Sequence, residues 1–205
     1  MSNGIVGKAA PLLRVSSRDL PARRRVEALR DWVGRELSRM DFSPVNQDLP
    51  IYFESAAASI GCVNYGLANA STFEMARTRP FLVDGCDDVC LLTTETGLHV
   101  ESADESFFVR PGGATVLSKA RGYRYVHAAP GTSACVLVPH ARLSLLMPRF
   151  EEAPMVNLAP ETPGLDLLFG YARSVAFSTT ATADIRSKSA SHILELIASI
   201  LDPQR

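Results

Sequence analysis

The sequence predicts an α+β protein: a mainly antiparallel β-barrel or jelly roll, preceded by one helix and followed by two C-terminal helices. Three observations predict it. Between Leu98 and Pro139, short half-apolar runs rich in Val, Phe, Tyr, Thr and Leu alternate with tight-turn residues, and each run is too short for a helix. Similar runs precede this stretch from Ile51 onwards, and several short strands at regular spacing build a small barrel or sandwich. Apolar residues three and four apart, the helical period, instead fill residues 26–40 and 165–201. A β body of this size has either a filled interior or a cavity for one small ligand.

Residues 1–18 show no sustained period and are expected to be a flexible N-terminus. Gly4-Ile5-Val6-Gly7-Lys8-Ala9 lacks the spacing and the Ser/Thr of a phosphate loop. Asp19-Leu20-Pro21 then opens a helix, with proline tolerated in the first turn. Val26, Leu29, Trp32, Val33, Leu37 and Met40 form its apolar stripe. Arg23, Arg24, Arg25, Arg30 and Arg35 lie largely off the stripe, interleaved with Glu27, Asp31 and Glu36, the pattern of a solvated face.

A loop over residues 43–48 leads to strand candidates at 51–53, 59–68 and 71–79, the last with Phe73, Met75 and Arg77 on one face. Asp84-Gly85 is a turn, 89–95 a strand, and Glu95-Thr96-Gly97 another turn. Strands at 98–100, 105–110, 114–117, 123–127 and 134–138 follow, for eight to ten in all. Residues 19–150 thus hold the first helix and the barrel. Residues 151–205 hold a Pro-containing loop over 153–163 and two helices. The first carries Leu165, Leu168, Phe169, Ala172, Val175 and Ala176. The second, with Asp184 as its cap, carries Ile185, Ile193, Leu196, Ile197, Ile200 and Leu201.

Composition narrows the function. The chain has 205 residues, 46% hydrophobic and 21% charged, with a formal net charge of −1. That is an ordinary globular composition without the basic surplus of a DNA-binding module. No apolar run approaches the roughly 18 residues of a membrane span, and no signal peptide is visible. Cys62, Cys86, Cys90 and Cys135 lack metal or redox spacing and read as buried structural thiols, which fits a reducing cytoplasm.

The chemistry-bearing residues are few. His99-Val100-Glu101 has a Glu where a metal-binding barrel would need a second His, so no metal site, cofactor or catalytic set is expected. Tyr123, Tyr125 and His127 share one face of a strand. Looking inward they would line a pocket, and looking outward they would form an ordinary solvated aromatic face. Arg77 and Arg79 precede Pro80. An Arg here either clamps a ligand carboxylate bidentately or pairs with one of Asp84, Asp87 and Asp88. Inward positions are assigned to Met75, Phe81, Leu91, Phe108, Val116, Tyr125, His127 and Val136.

Several segments, taken in order, carry a family resemblance. They are Arg25 to Val33, Thr78-Arg79, Phe107-Phe108-Val109-Arg110-Pro111-Gly112-Gly113-Ala114-Thr115-Val116-Leu117, Val138-Pro139-His140-Ala141-Arg142-Leu143, Leu146-Met147-Pro148-Arg149, and His192 to Ile197. The chain resembles the N-terminal cupin-like sensor domain of AraC-family transcription regulators, of the AraC-binding-like branch. Gly113 stands where the family usually has an Asp, a change a turn accommodates. The resemblance implies a cupin-like barrel in a cytoplasmic bacterial protein that is not an enzyme. It further implies a possible small-molecule effector held near Arg79, Phe108, Tyr123, Tyr125 and His127, and a homodimer formed through Leu165, Leu168, Ile193, Leu196, Ile197 and Ile200. DNA would be bound only by a C-terminal helix-turn-helix domain, which the sequence ending at Arg205 does not contain. A stand-alone cupin-like binding protein or enzyme is the competing class, and a structural dimerisation module with a filled interior a third.

Overall fold

The computed structural model describes residues 12–46, 48–49, 51–148 and 155–202. Arg149 and the start of the 153–163 loop, on which sequence readings fall, lie outside the described residues. Twelve strands and five α-helices follow one another along the described chain, with two 3-10 turns before the first α-helix and a π-helix after it.

The strands form two antiparallel sheets. The larger has the order β1-β3-β4-β11-β6-β9-β12: Leu13–Ser16, Phe53–Ile60, Val63–Ala70, Gly131–Val138, Val89–Thr94, Ala114–Ser118 and Met155–Leu158. The smaller has the order β2-β5-β10-β7-β8: Asp41–Pro44, Phe73–Arg77, Tyr123–His127, Leu98–Ser102 and Ser106–Val109. The body is therefore a jelly-roll sandwich of two sheets.

Period-2 alternation on the larger sheet feeds two cores. Ala58, Ile60, Val63, Tyr65, Leu91, Val116, Val136 and Val138 face α4 (Leu165–Ala176) and α5 (Ala183–Leu201), which cover that side. Phe53, Leu92 and Leu117 turn the other way and meet Phe42, Phe73, Met75, Leu98, Val100 and Tyr123 of the smaller sheet. The order is helices, large sheet, small sheet. Leu168, Ile193 and Ile197 of the helix layer are fully buried, and each such side chain contributes roughly 1.5–3 kcal/mol of burial free energy.

Several expectations are corrected. Residues 13–16, placed in the flexible N-terminus, make the edge strand β1, paired to β3 with Val15 buried. The single strand expected at 59–68 is a hairpin: Gly61, at φ +58°, and Cys62 turn the chain between β3 and β4. A Cβ at Gly61 would lie 3.1–3.3 Å from Ala190, Ser187 and Arg186, so a glycine also lets this turn touch α5. Cys62, at that tip, is exposed rather than buried. β2, β12 and α2 (Arg79–Leu82) occur where loop or strand was expected. Thr182, not Asp184, caps α5, its hydroxyl accepting from the Ile185 N–H. Of the assigned inward positions, Leu91, Val116 and Val136 are buried against the helices instead of between the sheets.

The first helix, α1 (Arg25–Leu29), continues as a π-helix over Arg30–Ser38. The wider turn carries Leu37 off the apolar stripe, to 41% exposure, while Leu29 and Val33 remain buried. Gly34 is required by close approach, since a Cβ there would stand 2.8 Å from the Met40 carbonyl oxygen.

Candidate functional site: a cavity between the sheets

A cavity of about 180 Å³ lies between the sheets under the N-terminal helix. Its floor is the inward face of β3, β4 and β11, where Ser55, Ala57, Gly66, Ala68, Ser133 and Cys135 are too small to fill the space. Met75 and Tyr125 face them from the smaller sheet, Phe53 and Phe73 close one end, and Val33, Leu37 and Ser38 of the helix roof it. An apolar hole of 150 Å³ is enough to hold a molecule the size of benzene, and this one is somewhat larger.

The strand β10, singled out by the sequence, does turn Tyr123, Tyr125 and His127 inward, but only Tyr125 lines the cavity. Tyr123 is buried at one end, its hydroxyl 3.8 Å from the Met40 sulfur. His127, 5% exposed, packs against Phe73 with ring centroids 4.5 Å apart. Burial pushes the Tyr123 and Tyr125 hydroxyls up and lowers His127 to about 4, so all three are neutral near pH 7.

The other two expected ligand residues lie elsewhere. Phe108 is 40% exposed, because β8 alternation sends Phe107 and Val109 inward and Phe108 out. Its ring lies over Gly97 and packs on His99 at 4.8 Å. Arg79 is exposed as the first residue of α2, two positions past the end of β5. Arg77 is the buried arginine, 2% exposed, and its bidentate partner is internal: Nη1 and Nη2 donate to the Asp84 carboxylate at 3.1 and 2.8 Å. Its remaining donors reach the carbonyls of Lys119, Arg39 and Cys86. Those hydrogen bonds hold the Asp84 carboxyl well below the usual carboxylate range.

Three cavity groups were not assigned to the site from the sequence. Lys119 is 6% exposed, and its Nζ donates to the Ser38 carbonyl at 3.0 Å. Cys90 and Cys135 line the same wall. Strand parity could have found all three, since Lys119 shares a face with Thr115 and Leu117, Cys90 with Leu92, and Cys135 with Ser133 and Leu137. Among the described residues, no group of three or more His, Cys, Asp or Glu side chains could hold a metal ion.

Of the dimer residues expected from the sequence, Leu165, Leu168, Ile193, Ile197 and Ile200 are buried within this chain, packed in the core that α4 and α5 share with the larger sheet. Their stripe is already covered. Leu196 is partly buried and borders an outer groove with Leu167, Tyr171, His192, Glu195 and Ser199. No helix among the described residues is long and apolar enough to cross a membrane.

A two-sheet jelly roll with an internal cavity and a helical layer is a cupin-like fold. No family model matches the sequence, and no curated protein does. Among solved structures the chain is similar to the AraC-like transcriptional activator CuxR. That match has 14% identity and a TM-score of 0.76, and covers 93% of this chain and 70% of that one. The two share a fold. Partial likenesses, too limited to bear on the argument, are to fatty-acid-bound ToxT from Vibrio cholerae and to vicilin from Corylus avellana. The first has 12% identity, TM-score 0.35, and 55% and 48% of the two chains covered. The second has 11% identity, TM-score 0.32, and 43% and 29% covered.

Proposed function

We propose that this chain is the effector-sensing regulatory domain of an AraC-type bacterial transcription regulator, working in the cytoplasm and without catalytic activity of its own. The observation that carries the reading is the cavity. It lies inside a fold shared with an AraC-like activator, and it is roofed by a helix whose last turn is held by cavity and core side chains. The effector is a small, mainly apolar molecule. Lys119, Tyr125 and the floor serines Ser55 and Ser133 are among the polar groups it meets, few as in most small-molecule pockets. DNA contacts belong to a C-terminal helix-turn-helix domain outside the described residues. The chain works as a homodimer, and a second copy docks on the outer side of the helices at Leu167, Tyr171 and Leu196, because the inner stripe is occupied. Residues 19–150 are the sensing unit and residues 151–205 the connection to the DNA-binding part.

An effector regulates only through different affinities for two states. The test therefore joins residues 1–205 to a helix-turn-helix domain that needs dimerisation to occupy its operator, and measures reporter output against a set of small apolar compounds. Compounds that raise the melting temperature of the chain are expected to change the output, and Ala57→Leu, which fills the cavity, to abolish the change. Output indifferent to every compound that stabilises the chain would overturn the proposal.

A further inference from the structure

Three cationic side chains are buried among the described residues, and they are satisfied differently. Arg77 has the Asp84 carboxylate, and Arg186 spreads its donors over four carbonyls. Lys119, 6% exposed, has one neutral acceptor. Among the described residues its Nζ donates only to the Ser38 carbonyl, at 3.0 Å, and makes no ion pair. An ammonium carries three N–H donors, so two are left unspent.

Lys119 and Ser38 both line the cavity between the sheets, and among the described residues Lys119 is its one charged lining residue. The surroundings add positive charge. Arg77 Nε donates to the Lys119 carbonyl at 2.9 Å, and Arg77 Nη1 donates to the carbonyl of Arg39, the residue after Ser38. Asp84 pairs with both Arg77 and Arg39, and among the described residues it is the one carboxylate ion-paired with this group of three cations. A charge held out of water is costly unless an opposite charge and hydrogen bonds meet it. For Lys119 the open side is the cavity.

We propose that the cavity takes a small monocarboxylic acid, its carboxylate on the free donors of Lys119 and its apolar body over the floor of small residues. The inference rests on the cavity being the effector site and names the class of compound that fills it. Size and charge both select this class. About 180 Å³ holds a benzene-sized body with one small head group, which excludes nucleotides. A phosphate monoester carries close to two charges near pH 7, more than one ammonium offsets, and the described lining has no second cation. A neutral apolar molecule fills the space but leaves the ammonium without a counter-charge. Lys119 also holds Ser38, so the acid binds at the contact that joins the end of β9 to the roofing helix.

The test titrates the full chain at pH 7, by calorimetry, with benzoate and with benzamide, its uncharged near-isostere. Benzoate is expected to bind at least about tenfold more tightly, as a hydrogen bond to a charged group gives. Its affinity should change by less than about twofold between about 0.05 and 0.5 M salt, because a buried pair is screened far less than an exposed arginine. Lys119→Met should bring benzoate down to the level of benzamide, and Ala57→Leu should abolish the binding of both. Benzoate binding no tighter than benzamide, falling steeply with salt, or surviving either substitution unchanged overturns the inference. If benzamide still binds in that case and Ala57→Leu blocks it, the effector cavity stands and only its charged head group falls. If neither compound binds, the cavity reading falls too. The benzoate-to-benzamide ratio of the natural chain decides by itself should Lys119→Met fail to fold.

Discussion

Arg77 and Asp84 show how a single pair holds this molecule together. The guanidinium spends every donor inside the protein, and Asp84 supplies its only carboxylate among the described residues. Asp84→Asn leaves a buried cation without its counter-charge and is expected to cost about 3 kcal/mol, read from urea unfolding at pH 7. His127 sets a different dependence. Its folded value is about 4 against an ordinary 6.5, so between these the unfolded chain binds the extra proton. Stability is full above about 6.5, falls as the pH drops toward 4, and levels off there, for a loss on the order of 3 kcal/mol. Asp84, held low, adds its own loss only at still lower pH, as its carboxylate protonates. His127→Phe should remove the histidine phase, which unfolding measured from pH 7 to pH 4 would show. From the sequence, alternation placed Arg77 with Phe73 and Met75. It did not reveal which of Arg77 and Arg79 finds an acid, because Asp84 reaches Arg77 only through the turn made by α2. Phe108 was assigned inward and packs outward, since in Phe107-Phe108 either ring could take the buried face.

At the scale of elements, one side chain ties the end of α4 to α5 and to the larger sheet. Buried Arg186 donates to the carbonyls of Val175, Ala176 and Ser178 past the end of α4 and to Ser59 at the end of β3. It thereby places a cation where the α4 dipole is negative. Arg186→Met frees the buried carbonyls of Val175 and Ala176 and the half-buried ones of Ser59 and Ser178, and should cost about 3 kcal/mol, against about 1 kcal/mol for Thr182→Ala, which removes only the α5 cap. Thermal melts of the two variants give the order, and reversal of that order would count against the fastening role. The long elements were legible because burial imposes a period on them. β1, β2 and β12 were not, since each has only four residues and becomes a strand through a partner far along the chain. Nor did a stripe drawn at α-helical spacing reveal the π turns that expose Leu37.

For the whole molecule, the order of layers decides where a ligand can go. On β3, β4 and β11 the larger sheet turns Ile60, Val63, Tyr65, Val136 and Val138 toward the helices and Ser55, Ala57, Gly66, Ala68, Ser133 and Cys135 toward the other sheet, so the gap opens on that side. The sequence reading singled out no sheet face rich in Ala, Ser and Gly. It did not show that β3, β4 and β11 lie side by side, which is what adds their missing volume into one cavity. Ala57→Leu should fill part of it and raise stability by about 1 kcal/mol, while any compound that stabilises the natural chain loses its effect on the variant. A drop in melting temperature would mean that the space is packed more tightly than its outline indicates.

The N-terminal helix ends on two carbonyls with different owners. Ser38 receives Lys119 from the end of β9 in the larger sheet, and Arg39 receives Arg77 from β5 in the smaller one. The helix end is thus a caliper across the sandwich, with one jaw on each sheet. If an occupant spreads the sheets, one jaw must lengthen and the last turn of the helix must slip or fray. Amide exchange at Arg39 and Met40, whose N–H groups both bond the Gly34 carbonyl, would then report the width of the cavity from the backbone at its roof.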